Sequence, residues 1–267
     1  MGDPLREDAG RGVSTTIPSV IDISVVLPVY NEEESLPTLW DELRKVLESL
    51  GLTFEVVFVD DGSRDRSAEI IRSFHEADGR ARLVRLKANA GETAAMDAGF
   101  KVARGRIVIT MDADLQHDPH DIPKLLGHLE QWDAVTGWRV NRRAGDSFVR
   151  HVSSRIANRV RNAVSEESIQ DSGCTFRAFR RECLRGLVLY RGFHRFIPTL
   201  LRMKGHRVLE IPVNHRPRRF GQSKYGIGNR LFVGIADVLA VRWMKRRLIP
   251  YEIAEDLGGG LIHEKGA

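Results

Sequence analysis

The chain is poor in the residues that build disulfide frameworks and zinc sites, since its 267 residues include only two cysteines, Cys174 and Cys183. Two cysteines supply neither a disulfide scaffold nor a four-ligand thiolate site. No apolar run reaches the length of about 18 residues that a transmembrane helix needs. The first 16 residues are polar and glycine-rich, which argues against a secretory signal. These absences predict a cytosolic domain.

Several fingerprints of nucleotide binding and nucleophilic catalysis are also missing. No G-x-G-x-x-G follows the first apolar run, and no G-x-x-x-x-G-K-[ST] occurs anywhere in the chain. The Rossmann dinucleotide and P-loop interpretations therefore lose their support. The sequence contains no Gly-x-Ser-x-Gly elbow and no Cys–His pair at a suggestive spacing, so it does not indicate a covalent nucleophile.

The charge of the chain is moderately positive and strongly biased toward arginine. Lys and Arg total 41 against 36 Asp and Glu, and only eight of the basic residues are lysines. Arginine presents a planar fork that suits phosphates and carboxylates. Net charge alone leaves nucleic acid, phosphorylated metabolites and lipid headgroups open as partners. Aromatic residues make up only 7% and fall mostly in apparent core runs, which disfavours a stacking platform for nucleic acid.

Apolar runs typical of buried strands alternate with segments of helical periodicity. Strands are predicted at 23–29, 54–59, 82–86, 106–111 and 134–137, and helices at 33–50, 66–78 and 92–103. This alternation predicts an α/β fold, a doubly wound and mostly parallel sheet with helices on both faces. In such sheets ligands bind beyond the carboxyl ends of the strands.

Acidic residues cluster at those strand ends. Asp112 and Asp114 follow the fourth predicted strand, and Asp60 and Asp61 end the second. Paired carboxylates of the D-x-D kind suit Mg²⁺ or Mn²⁺, which also bind substrate phosphates. A helix cap or a turn is the plainer interpretation of either cluster. Two adjacent carboxylates also favour a donor such as a nucleobase N–H or a ribose hydroxyl.

Two further segments lie in the basic second half of the chain. Glycines surround Lys224 in the segment 221–226, and Arg218 precedes it, a pattern typical of a loop that closes over an anion or of an ordinary solvated loop. Residues 229–250 combine apolar residues with Trp243 and a basic cluster. They predict an amphipathic helix that either lies at a membrane interface or packs on the domain.

Together these motifs resemble family 2 glycosyltransferases, above all the dolichyl- or polyprenyl-phosphate mannosyl- and glucosyltransferases. The motifs that carry the resemblance are Pro28-x-Tyr30-Asn31-Glu32, Asp60-Asp61-Gly62-Ser63, Asp112-Ala113-Asp114-Leu115-Gln116 and Gly221-Gln222-Ser223-Lys224. The resemblance implies a GT-A fold over residues 21–228. A flexible leader (1–20), an amphipathic membrane-proximal helix (229–250) and a flexible tail (251–267) complete the expected organisation.

The resemblance also implies roles for individual residues. The positions that match the binding site of the nucleotide base and ribose are Pro28, Tyr30, Glu32, Val59 and Asp61. Those that match the metal and diphosphate segment are Asp112, Ala113, Asp114 and Gln116, with Asp112, Asp114 and Gln116 as metal ligands. Those that match the acceptor-phosphate site are Arg139, which also matches a donor contact, Arg150 and Ser154. The matches to the closing loop, which contacts the donor and assists catalysis with Asp112 and Asp114, are Arg218 and Lys224.

The activity that the resemblance implies is inverting transfer of one hexose, mannose or glucose, from a GDP- or UDP-sugar to a polyprenyl or dolichyl phosphate. The expected cofactor is Mg²⁺ or Mn²⁺. The expected location is cytoplasmic, peripheral on the cytosolic face of the membrane, with direct attachment or a separate anchoring subunit. A phosphate acceptor is already anionic, so no strong general base is required. Asp171 is either a base, an orienting group or a turn residue.

Two other functions remain open at this stage. A glycosyltransferase that acts on a soluble or polysaccharide hydroxyl needs a carboxylate base. A nucleotide-sugar-binding protein without turnover needs no acceptor site, although the D-x-D segment and the Lys224 loop argue against it. No nucleic acid is expected as a partner.

Overall fold

In the computed structural model of the chain, residues 20–140, 169–218 and 230–249 are described. The predicted tail and, apart from Val20, the predicted leader lie outside these ranges. So do Arg150, Ser154 and Lys224, three of the residues that the resemblance assigned to the acceptor phosphate and the closing loop.

A seven-stranded sheet forms the centre of the described fold, in the order β3-β2-β1-β4-β6-β5-β7. Its strands are β1 (Ile23–Val29), β2 (Phe54–Asp60), β3 (Ala81–Arg85), β4 (Ile107–Thr110), β5 (Ala134–Arg139), β6 (Arg177–Arg180) and β7 (Val208–Val213). All neighbouring strands are parallel except that β6 runs antiparallel to both β4 and β5. The sheet is therefore mostly parallel, as the sequence predicts.

The described residues form α-helices between these strands and, in α6, after the last strand. The helices are α1 (Leu36–Ser49), α2 (Ser67–Ala77), α3 (Glu92–Val102), α4 (Ile122–Gly127), α5 (Ile197–Met203) and α6 (Arg230–Arg247). The first three helices and the first five strands coincide with the predicted segments to within a few residues. The sequence pattern did not predict β6, β7, α4 or α5.

The chain order of the strands creates a switch point between β1 and β4. From β1 the chain moves outward to β2 and β3, then returns to place β4 on the other side of β1. A crevice opens at such a point beyond the carboxyl ends of the strands, because the connections leave in opposite directions. The loops after β1 and β4 carry the predicted nucleotide and metal residues, so the topology brings them together.

Large apolar side chains of α1 and α2 cover one face of the sheet. Trp40 and Phe74 stack with centroids 5.8 Å apart, and Phe58 of β2 lies 6.0 Å from each ring. On the other face, α3 packs through small residues. An ideal Cβ on Gly99 would lie 2.2 Å from Val26 Cγ1 and 3.2 Å from Val59 Cγ2. Glycine at 99 therefore allows α3 to approach β1 and β2 closely.

The segment 229–250 contains the helix α6, as predicted, but its apolar residues are not confined to one face. Val238 and Val241 are buried against Phe193 and Leu200. Leu239, by contrast, is exposed. Among the described helices, none combines the length and apolar character needed to cross a membrane.

We expect Gly99→Ala to lower the free energy of unfolding by about 1–3 kcal/mol, because the added methyl group overpacks the contact with β1. This outcome opposes helix propensity, which favours alanine over glycine by about 1 kcal/mol. Urea denaturation measures the change. Gly127→Ala in α4 is the matched control, because no atom lies within 4 Å of its ideal Cβ. Equal stability of the two variants would contradict the close-packing argument.

Candidate functional site

The acidic segment after β4 forms the centre of the candidate site. The side chain of Asp112 is 34% exposed and that of Asp114 only 9%. Between this pair and Gln116, Leu115 has a φ of 63°, a left-handed conformation that leucine rarely adopts. The backbone N–H of Gln116 donates to Asp114 Oδ1 at 3.1 Å. A tight turn thus holds both carboxylates at the carboxyl edge of the sheet.

Nearby arginines offset only part of the cost of burying these two carboxyl groups, since Arg218 acts to lower the pKa of both and yet both pKa values are raised. Burial is the largest cause that raises the pKa of both Asp112 and Asp114, and the charge of Asp112 raises the pKa of Asp114 further. Oxygen ligands of this type suit a hard divalent cation. Among the described residues, no group of three or more His, Cys, Asp or Glu side chains is arranged to hold a metal ion. Two carboxylates fit a cation that is shared with a diphosphate, the common Mg²⁺ arrangement.

The side chain of Arg218 contacts the acidic segment. Its Nη2 donates to Asp114 Oδ2 at 2.6 Å. The same stretch of chain is anchored by the Arg216 N–H, which donates to the Gln116 carbonyl at 2.8 Å. The resemblance assigned Arg218 to the closing loop, and its partner in the structure is Asp114. A cation at Asp114 would compete with this guanidinium.

The predicted nucleotide residues lie at the carboxyl ends of β1 and β2. Pro28 and Val59 are partners in the parallel register of the two strands. Tyr30 and Glu32 follow β1, and the Glu32 N–H donates to Ser67 Oγ at 2.8 Å, which joins the loops after the two strands. The structure thus gathers these residues at the edge that also carries Asp112 and Asp114.

Asp61, the other predicted nucleotide residue, is 3% exposed and holds the loop before α3. Its Oδ1 accepts from the Ala90 N–H at 2.7 Å, and its Oδ2 accepts from the Gly91 N–H at 2.8 Å and from Asn89 Nδ2 at 2.9 Å. An ionised carboxylate has about four lone-pair sites, so these bonds leave little capacity for a nucleotide. The anchoring role of Asp61 was not evident from the sequence.

Arg139, at the end of β5, forms a bidentate pair with Asp171. Nε lies 2.7 Å from Oδ2 and Nη2 lies 2.9 Å from Oδ1. Both side chains are largely buried, and the Asp171 carboxylate raises the pKa of the Arg139 guanidinium. Both oxygens of Asp171 contact Arg139, and its Oδ1 also accepts from the Gly173 N–H at 3.2 Å. Asp171 therefore orients the guanidinium and also stabilises the turn that follows it.

The sequence did not predict a structural role for Arg177, the first residue of β6. Its side chain is fully buried. Its Nη1 donates to the His194 carbonyl at 2.7 Å, its Nη2 to the Ser172 carbonyl at 3.3 Å, and its Nε to Thr136 Oγ1 at 3.2 Å. Burial lowers its pKa, whereas the nearby Glu92, Asp112 and Asp171 act in the opposite direction. No motif in the sequence signalled a buried guanidinium at this position.

From its place beside the acidic segment, His117 is expected in a solvated loop rather than as a metal ligand. That expectation is wrong, because His117 is only 1% exposed and supports the backbone of the acidic segment. The Asp112 N–H donates to His117 Nδ1 at 3.2 Å, and the ring stacks on Phe176 with centroids 5.3 Å apart. Burial lowers the pKa of His117 to about 4, so the ring is neutral near pH 7.

Comparison with known proteins agrees with this geometry. The family model described as "Glycosyl transferase family 2" matches residues 24–188, which include the strand-end residues after β1, β2 and β4. The chain therefore belongs to glycosyl transferase family 2, a family of sugar-transferring enzymes.

Two curated relatives are similar over most of this chain. The dodecaprenyl-phosphate galacturonate synthase of Rhizobium johnstonii is 37% identical over 257 residues, which cover 94% of this chain and 75% of that protein. The undecaprenyl-phosphate 4-deoxy-4-formamido-L-arabinose transferase of Pseudomonas paraeruginosa is 44% identical over 205 residues, 76% of this chain. The match spans only 60% of the length of that relative.

A solved structure confirms the GT-A-type fold. The glucosyl-3-phosphoglycerate synthase of Mycobacterium tuberculosis, solved with Mn²⁺, UDP and phosphoglyceric acid, aligns with a TM-score of 0.63 at 22% identity. The alignment covers 86% of this chain and 80% of that one.

The largely buried His194 should make the protein less stable in acid. Burial, followed by the charges of Arg195 and Arg177, lowers its pKa from 6.5 to about 3. Protonation therefore favours the unfolded chain, so stability present above about pH 6.5 is lost as the pH falls toward the folded pKa. We expect His194 to contribute about 1 kcal/mol to the loss of stability between about pH 7.5 and 5.5.

Urea unfolding at the two pH values tests this expectation. His194→Gln should show a smaller decline than the wild-type protein, whereas His128→Gln, which alters an exposed histidine, should keep the wild-type decline. An unchanged decline in His194→Gln would show that this ring does not resist protonation.

Proposed function

We propose that this protein transfers a single sugar from a nucleotide diphosphate sugar to a polyprenyl phosphate, with inversion at the transferred carbon. The observation that carries the proposal is the pair Asp112 and Asp114, held at the switch point between β1 and β4. The two curated relatives, by their names, act on dodecaprenyl and undecaprenyl phosphate. Both support a lipid phosphate as the acceptor.

The proposed donor is a UDP- or GDP-hexose of the glucose or mannose type. The solved relative that binds UDP favours the UDP form. The names of the curated relatives specify galacturonate and a formamido-arabinose, so the donor panel in any assay has to include a uronic acid beside neutral hexoses.

The proposed cofactor is Mg²⁺ or Mn²⁺, held by Asp112 and Asp114, with Gln116 beside them. A bound divalent cation would neutralise the charge that develops on the leaving diphosphate. Asp114 Oδ2 becomes available when Arg218 releases it, and the freed guanidinium can then bind the diphosphate itself. Lys224 of the closing loop is proposed to act on the same phosphates. Arg218 thus has an anionic partner both before the donor binds, in Asp114, and afterwards, in the diphosphate.

For the acceptor, we propose that Arg139 binds the lipid phosphate together with Arg150 and Ser154. Asp171 fixes the guanidinium plane of Arg139 through the bidentate pair, so the arginine is oriented before the acceptor arrives. The acceptor phosphate carries its own negative charge and attacks without losing a proton to the protein. Positive charge at this site offsets its repulsion from the donor diphosphate.

Transfer to a hydroxyl group is the second candidate, and it requires a general base near the acceptor. Asp171 would have to leave Arg139 to serve as that base, which disfavours this candidate. A binding protein without turnover remains the non-enzymatic alternative, and a product assay distinguishes it directly.

The first test is product formation with a panel of UDP- and GDP-sugars, Mn²⁺ or Mg²⁺, and polyprenyl phosphate. We expect a lipid-linked sugar with at least one donor. Asp114→Asn should reduce the rate by about a hundredfold or more, because it removes a metal-binding charge. Full activity of Asp114→Asn, or an absolute preference for a hydroxyl acceptor, would refute the proposal.

A Mn²⁺ titration without nucleotide separates the roles of the charged residues in the same experiment. Asp114→Asn should weaken Mn²⁺ binding. Arg218→Gln should strengthen it while lowering the transfer rate, because the competing ion pair with Asp114 is lost. Arg216→Gln is the matched control, since Arg216 pairs instead with Glu42 and Asp118.

We further propose that the protein meets its lipid acceptor at a membrane surface, on the cytosolic face, either directly or through a separate anchoring subunit. The side chains of Leu239 and Trp243 on α6 are exposed, the latter by 62%. The last turn of the same helix carries Lys245, Arg246 and Arg247. Tryptophan beside basic residues is typical of a helix at an anionic lipid interface.

Cosedimentation with vesicles that contain anionic phospholipid tests direct membrane attachment. The double variant Leu239→Ser, Trp243→Ser should lower vesicle binding by about tenfold or more, because it removes two apolar side chains from the contact. Leu52→Ser, which changes an exposed leucine elsewhere, should leave binding unchanged. If the double variant binds as well as the wild-type protein, this face of α6 is not the attachment surface.

A further inference from the structure

Glu92 is a carboxyl group at the proposed donor site that belongs to none of the motifs considered above. It is the first residue of α3 and directly follows the loop that Asp61 anchors. Its side chain is about a quarter exposed, at 26%. Burial and then the charge of Asp112 raise the pKa of Glu92 to about 8, and Asp114 acts in the same direction.

A chain of hydrogen bonds orients a histidine toward this carboxyl group. The Gly192 N–H donates to Thr93 Oγ1 at 3.0 Å, and Thr93 Oγ1 lies 2.7 Å from His194 Nδ1. In the tautomer whose Nδ1 accepts the threonine hydroxyl proton, the neutral His194 ring carries its proton on Nε2. That nitrogen lies 3.6 Å from Glu92 Oε2.

The backbone on both sides of this contact is also held in place. Arg177 Nη1 donates to the His194 carbonyl at 2.7 Å, and Asp61 accepts from the Gly91 N–H at 2.8 Å. Arg177 lies opposite Thr110, two residues before Asp112, in the register of β6 with β4. The contact between His194 and Glu92 therefore joins the proposed nucleotide side, through Asp61, to the start of the acidic segment, which is proposed to meet the diphosphate. In a nucleotide sugar the sugar is bonded to the distal phosphate, so it has to lie beside that segment.

A third metal ligand is the other role that a carboxyl group could have here. The described residues disfavour it, because they include no set of three metal-ligating side chains grouped around one point. A carboxyl group next to a sugar instead accepts hydrogen bonds from hydroxyl groups, or donates one when it is protonated.

We propose that Glu92 binds hydroxyl groups of the sugar carried by the donor, and that His194 and Thr93 are positioning residues that hold its carboxyl group. This inference rests on the proposed function, since it requires a nucleotide sugar at the acidic segment. It adds a determinant of sugar recognition to a site otherwise defined by its contacts with nucleotide, metal and phosphate.

Calorimetric titration with matched ligands tests the proposal. The probes are UDP-glucose against UDP and GDP-mannose against GDP, each with Mn²⁺. Glu92→Ala should weaken binding of the nucleotide sugar by about tenfold, the effect of losing one or two hydrogen bonds to the sugar. Affinity for the nucleoside diphosphate and for Mn²⁺ alone should change by less than about twofold. Asp97→Ala, on the same helix and paired with Lys101, is the control.

Variants of Thr93 test the positioning role separately. Thr93→Val removes the hydroxyl group that orients His194 and should weaken nucleotide-sugar binding without affecting the diphosphate, whereas Thr93→Ser should restore it. A merely structural role for Thr93 would weaken both ligands together.

Three outcomes would overturn the inference. Wild-type affinity for the nucleotide sugar in Glu92→Ala would remove Glu92 from sugar recognition. Equal weakening of sugar and diphosphate, or weaker Mn²⁺ binding, would assign it a structural or metal-binding role instead. If the wild-type protein binds neither nucleotide pair, the proposed function itself fails, and the inference fails with it.

Discussion

The arrangement of the candidate site depends on one buried cation, the guanidinium of Arg177. Burying a charged group costs free energy unless its hydrogen bonds are satisfied and opposite charge lies close by. Arg177 meets the first condition through Thr136 and two backbone carbonyls, those of Ser172 and His194. It thereby connects β5, the loop before β6 and the turn that carries His194. The opposite charge comes from Glu92, Asp112 and Asp171, which act to raise the pKa of Arg177.

The same pairing of opposite charges extends along the whole carboxyl edge. Asp114 holds Arg218, and Asp171 holds Arg139. These pairs hold the two guanidinium groups where phosphate groups are proposed to bind. A divalent cation and two phosphorylated substrates would exchange partners with these groups rather than meet isolated charges. Such preorganisation reduces the rearrangement that accompanies binding.

The elements that the sequence predicted well are those with strong local periodicity. The strand β1 coincides with its predicted range because it is a continuous apolar run, and α1 follows from its helical spacing of leucines. The strand β6 was missed because it has only four residues, two of them arginines, and pairs antiparallel with distant partners. A buried Arg177 looks like surface charge in a sequence, so its role was missed as well.

The sequence by itself determined the α/β class, the acidic segment after β4 and the membership of the chain in its family, because these depend on short motifs and local periodicity. The tertiary structure alone decided the partners: Asp61 with the loop before α3, Asp171 with Arg139, and His194 with Glu92. The members of each pair lie about 30 to 100 residues apart in the chain. Contacts over such separations depend on how loops and the reversed strand β6 pack, which local patterns do not encode.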